Sequence, residues 1–183
     1  MYHPLRLFRS HPVTPRAERR QGPVHRPGAA PWVRIGLLLL VAFWVQAALD
    51  LRWDRLLALQ ADETYKQLSG LALVVWLAAQ WRLSAARMRH RGPISPDRIS
   101  THLKWGAIAP LLFYLHSVGI GHAYTALLSL TFYGVLVLGL LQSDVVRLQR
   151  PWLTFVWRVS HIALAVVLTV LLSYHAFITL YYE

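Results

Sequence analysis

Five long apolar runs, set apart by polar segments, do most to limit what this chain can fold into. They cover residues 33–49, 68–83, 96–120, 124–141 and 151–182. Each approaches or exceeds the ~20 residues an α-helix needs to cross a hydrocarbon layer of ~30 Å. Inside such a layer no water is present to bond the backbone, so a single segment must satisfy its own N–H and C=O groups and becomes a helix. Hydrophobic residues make up 56% of the 183, too many for an ordinary soluble domain of this size. The expected fold class is all-α: an integral membrane bundle of five transmembrane helices.

Charge orders these runs. Seventeen Arg and two Lys stand against eight acids, a net charge of +11. The arginines fall between the apolar runs, which argues against nucleic acid as a partner. Up to the start of the first run, Arg34 included, lie seven Arg and one acid. The next connection holds Asp50, Arg52, Asp54, Arg55, Asp62, Glu63 and Lys66, with acids in excess. Arg82, Arg87, Arg89, Arg91, Arg98 and Lys104 make the third segment basic again. Residues 119–123 carry no charge, and Arg147, Arg150 and Arg158 outnumber Asp144 in the last. Basic and non-basic segments alternate throughout. By the positive-inside rule this predicts a multi-pass protein of the inner (cell) membrane, N-terminus in the cytoplasm and C-terminus outside.

Residues 1–31 hold six of the ten prolines and six arginines, which predicts a disordered basic arm ahead of a membrane domain at 32–183. Its first apolar stretch begins too late for a cleavable signal peptide. Ser95-Pro96-Asp97 reads as N-cap, first helical residue and acid at the positive helix end. Gly119-Ile120-Gly121 reads as a break, and Pro110 predicts a kink within the third run. Cysteine is absent, which excludes disulfides, iron–sulfur clusters and thioether-linked haem.

Two of the runs carry matched histidines. His102 and His116 are fourteen residues apart, and so are His161 and His175. Fourteen residues rise ~21 Å along a helix and return to within ~40° of the same face. The third and fifth runs both head outward, so His102 should face His161 near the cytoplasmic side and His116 should face His175 near the outer side. Each couple suits one six-coordinate iron between neutral imidazoles, with a porphyrin supplying four more nitrogens. Intramembrane polar groups are costly and tend to serve a function. Two readings compete with this one. Histidines also bond across helices in membrane proteins with no redox role. Imidazole also holds the magnesium of chlorophyll-type pigments, though one per ring rather than in couples.

Flanking residues add to the set. Gly106, Ala165, Ala176, Gly134 and Gly139 would leave room for a flat macrocycle, or simply let helices touch. Arg98, Lys104 and Arg158 are near the inner couple and are candidates for haem propionates, or plain positive-inside anchors. No Lys or Arg is expected near the outer couple, where His122 and Tyr124 are the candidate polar partners. His122 is also the alternative to His116 as outer ligand.

Residues 102–182 resemble the di-haem b-type membrane cytochromes of the ferric-reductase-like and related bacterial cytochrome b groups, in which two helices each carry two histidines at about this spacing. The resemblance places His102, His116, His161 and His175 as ligands of two b haems and implies transmembrane electron transfer. Many such proteins continue into a flavin and nicotinamide domain. This chain ends at Glu183, so a separate redox partner protein is expected to supply or accept electrons. The expected cofactors are two haem b, with a quinone as a further candidate. The other expected partners are membrane lipids. The chain reads as an electron-carrier subunit without a complete active site of its own. The alternative from another class is a scaffold or assembly subunit.

Overall fold

The computed structural model describes residues 30–89 and 95–182, apart from the side chains of 30, 143, 144, 146 and 182. The described residues are helical, with no strand among them: α1 Ala30–Ala48, α2 Asp54–Ala61, α3 Glu63–Gln80, α4 Arg82–Arg89, α5 Pro96–Ala107, α6 Ala109–His116, α7 Tyr124–Leu140, α8 Gln142–Arg147 and α9 Pro151–Tyr182. Of the basic arm predicted over residues 1–31, residues 1–29 lie outside the described residues. Its last two positions, Ala30 and Pro31, belong to α1, where proline suits a first helical turn.

Three stretches are long and apolar enough to cross a membrane: Pro31–Ala48, Glu63–Arg89 and Pro151–Tyr181. The last has only 6% of its most apolar window buried inside the molecule. Its outward face carries Phe155, Val170, Phe177 and Leu180, all well exposed. A surface of this kind suits lipid better than water. The predicted fourth run is α7, apolar but seventeen residues long.

The predicted third run is not one helix. It breaks at Ile108, the C-cap of one helical stretch and the N-cap of the next. Pro110 is the cause. It offers no N–H to the carbonyl of Gly106, and its ring crowds that carbonyl. The chain restarts, with the N–H groups of Leu111 and Leu112 both bonding Ile108 O, at 3.1 and 3.3 Å. Helix α6 ends at His116, earlier than the expected glycines, because Ser117 turns extended (φ −150°, ψ 127°). The turn that follows uses left-handed backbone at Gly121 (φ 80°) and Ala123 (φ 51°). Ser95 caps α5 through its backbone, Arg98 N to Ser95 O at 3.2 Å, and its hydroxyl makes no cap bond.

A helix the sequence reading did not foresee, α2, lies in the acidic connection. It ends where Asp62 caps α3, its carboxylate accepting from Tyr65 N at 2.8 Å. Helix α3 then passes through Trp81 into α4 with its ladder intact, Trp81 N to Leu77 O and Ala85 N to Trp81 O. Together they form a single rod from Glu63 to Arg89.

The core is aromatic and central. Phe43, Phe113, Phe132 and Tyr133 interlock with Leu40, Leu77, Leu136 and Leu168. The Phe113 and Phe132 rings stack at 4.9 Å, and those of Phe43 and Tyr133 lie 4.7 Å apart. Helices α7 and α9 pack along their length, while α5 and α6 pack on α1 and α3. Gly36 permits a close approach of α1 to α5, since a Cβ there would come within 3.2 Å of Ala107 Cα. Among the described residues, helices α5 and α6 have no extensive packing on α9. Helices α3 and α7 touch both, and a slot is left between them.

Candidate functional site

The four histidines face one another across that slot. His102 and His161 have ring centroids 6.4 Å apart, and His116 and His175 have theirs 6.5 Å apart. Pairing early residue with early and late with late requires α5–α6 and α9 to run in the same direction. The helix break at Ile108 leaves both pairings intact. The two planes in each couple are nearly perpendicular, at 83° and 80°. Neither pair is within hydrogen-bonding distance. Two imidazoles ligating one metal ion from opposite sides, with bonds of about 2 Å, hold their centroids roughly 6 Å apart. Both couples fit that span.

Among the described residues, no three His, Cys, Asp or Glu side chains converge as a protein-only metal centre would require. The donors come in twos. Such a pair matches an ion whose other ligands arrive with a macrocycle.

A cavity surrounds each couple. The inner one, about 130 Å³, is walled by α3, α4, α5, α7 and α9 around His102 and His161. The outer one, about 700 Å³, opens between α3 and α9 around His116 and His175. Trp76, Leu77, Phe132 and Leu168 line both and so form the wall between them. Neither lining contains an Asp or a Glu.

The outer imidazole on α6 is held in one orientation. Ser69 Oγ lies 3.0 Å from His116 Nδ1 and donates to Lys66 O at 3.1 Å. A hydroxyl has one proton. With that proton on Lys66 O, the oxygen accepts from Nδ1–H, and Nε2 keeps its lone pair for a ligand. This is the arrangement by which outer partners set the tautomer of a metal-binding histidine. Across the cavity, Tyr124 OH lies 3.4 Å from His175 Nδ1. Gly70 makes room for the His116 ring, because a Cβ there would meet Cε1 at 3.3 Å.

The end of α6 is held as well. Gln60 Nε2 donates to the carbonyls of Tyr114 and Leu115, at 2.8 and 3.1 Å, and its Oε1 accepts from Val118 N at 3.3 Å. Tyr65 OH donates to Leu115 O at 2.8 Å. These bonds satisfy helix-end carbonyls that would otherwise lack partners.

The inner couple is built differently. Nδ1 of His102 and Nδ1 of His161 are buried with no hydrogen-bond partner. The Gln80 carbonyl lies beside the first ring and the Val135 carbonyl beside the second. Trp157 stacks on His161, centroids 6.0 Å apart and planes 16° from parallel, and is fixed by Nε1 to Leu138 O at 2.7 Å. A Cβ added at Gly106 would meet nothing within 4 Å, and one at Gly139 would meet His161 Cε1 at 3.6 Å. Both glycines line the inner cavity, so a side chain at Gly106 would occupy it. Ala165 lines the inner cavity and Ala176 the outer one, whereas Gly134 packs against Leu164. The room beside the rings and the paired donors fit a flat, six-coordinate metal macrocycle.

The charged candidates are placed otherwise than the sequence suggests. Arg98, Lys104 and Arg158 are exposed and line neither cavity. Lys104 Nζ instead lies 5.9 Å from the Trp32 ring centroid. Arg87 lines the inner cavity in their stead. The expectation that no Lys or Arg approaches the outer couple is overturned, for Lys66 lines that cavity. It does so because α3 begins five residues ahead of the predicted run and carries Lys66 in its first turn. His122 is exposed in the α6–α7 turn and lines neither cavity, with its N–H bonded to Thr125 Oγ1 at 2.9 Å.

Comparison with protein-family models, curated proteins and solved structures finds no match to this chain.

Proposed function

We propose that this chain carries electrons across a membrane through two b-type haems, one held by His102 and His161 and the other by His116 and His175. The observation that carries the reading is the pair of imidazole couples, 6.4 and 6.5 Å across, on two co-directional rods. Haem bound at such a couple supplies an iron that takes up and releases one electron without gaining or losing a ligand. The chain's own residues do the rest. Ser69 holds a proton on His116 Nδ1 and so presents Nε2. Trp157 packs the His161 ring from one side. Leu77, Phe132 and Leu168 exclude water from the wall between the sites.

In this reading the five rods α1, α3–α4, α5–α6, α7 and α9 all cross the inner (cell) membrane. The alternation of basic segments supports an N-terminus in the cytoplasm and a C-terminus outside, with the His102 couple nearer the cytoplasm. Lipids cover the apolar flanks. A separate redox protein, or a quinone, meets the sites at either face. The rival, a scaffold whose histidines bond between helices, accounts for the Ser69–His116 bond. It gives no reason for two rings to face each other across a cavity without bonding.

The deciding measurement is a reduced-minus-oxidised spectrum of the purified protein with a pyridine haemochrome assay. Two haems per chain with a b-type α band are expected. A colourless, folded preparation would falsify the proposal and favour the scaffold.

A further inference from the structure

The α3–α4 rod brings one cation to each cavity. Gln80, Ser84 and Arg87 stand at i, i+4 and i+7, on one helical face, and all three line the inner cavity. Lys66 lines the outer cavity from the opposite end of the same rod, about six helical turns or ~31 Å away. Among the described residues, neither the Arg87 guanidinium nor the Lys66 ammonium makes a hydrogen bond or ion pair. Gln80 Oε1 is buried without a partner. Amide O and N are interchangeable in assignment, so a half-turn of that amide offers a donor to the cavity. With no acid in either lining, negative charge has to arrive with the ligand.

We propose that this rod anchors the acidic substituents of the bound macrocycles, Arg87 with Ser84 and Gln80 taking the carboxylates of the inner ring and Lys66 those of the outer. The assignment rests on the haem reading above. Arginine fits it well: its planar fork meets a carboxylate through two parallel bonds. The rod thereby tells each ring which way to face, with its acidic edge toward the nearer end of the molecule. Arg98, Lys104 and Arg158 have no part in this.

The test is a potentiometric titration of both haems, followed by absorbance, in the full-length R87Q, K66Q and R158Q variants. H102A identifies which titration step belongs to the inner site. Removing a cation beside a haem disfavours the reduced state. R87Q should lower the reduced-to-oxidised ratio of the inner haem about tenfold at fixed ambient potential, about 59 mV for one electron. K66Q should lower that of the outer haem alone, and R158Q should move neither. Should R87Q lose the inner haem outright, R87K decides: recovery supports the electrostatic hold, and continued loss overturns it. Haem present with both potentials unmoved by R87Q and K66Q, or moved as far by R158Q, overturns this inference alone. A wild-type protein without haem overturns the proposed function and this assignment with it.

Discussion

The inner and outer histidine couples are the same in span and opposite in construction. Both are about 6.5 Å across. The outer cavity is several times the larger, about 700 Å³ against about 130 Å³. Yet its α6 imidazole is the better oriented, through Ser69, Gly70 and the Gln60–Tyr65 hold on the helix end. The inner imidazoles have no bond to Nδ1 and are set by packing against Trp157 and the α7 backbone. The lesson is that the seating of α5–α6 and α9 against α3 and α7 sets the distance between facing imidazoles, while orientation is added locally and by different means. In the wide site hydrogen bonds do it, because few side chains press on the ring. In the tight site neighbouring atoms already do.

The largest effects should come from the ligands. H102A and H161A should each remove the inner haem and leave the outer, halving the haemochrome yield per chain, while H116A and H175A should do the converse. If any one of these removed both haems from a folded protein, the two sites would not be separable as described. G70V comes next. A branched side chain placed 3.3 Å or less from His116 Cε1 should displace the ring and cost most of the outer haem, leaving the inner α band unchanged in a low-temperature spectrum. S69A should weaken the outer site by about tenfold, the low end of the cost of losing such a partner. Haem transfer to an apoprotein acceptor would measure this, and an equal loss from the inner site would end the contrast drawn here. The smallest effect belongs to H122A, which should leave haem content and both potentials at wild-type values. Loss of the outer haem in this variant would mean that His122, and not His116, is the ligand.

Much of the framework could be read without coordinates. The apolar runs, the fourteen-residue spacing and Pro110 anticipate helices, two levels of facing histidines and a break between them. What escaped was anything contributed by α3 and α4. Ser69, Gly70, Gln80, Ser84 and Arg87 have no periodic signature among themselves that names His116 or His102 as neighbours. Their roles come from how one rod is seated against another, separated by tens of residues. Gln60 is a similar case. Its connection reads as an acidic loop, and only the fold brings it back to the carbonyls of Tyr114 and Leu115. The charges misled because arginine count marks a membrane face and says nothing of which arginine enters a cavity.

Backbone chemistry and helical pitch are local, so residue order alone determined that the described chain is helical and that each histidine pair lies on one face. Which faces meet is a property of packing across the bundle. That was decided only in three dimensions, where α3 and α7 hold α5–α6 away from α9 by about the width of two imidazoles and the space between them.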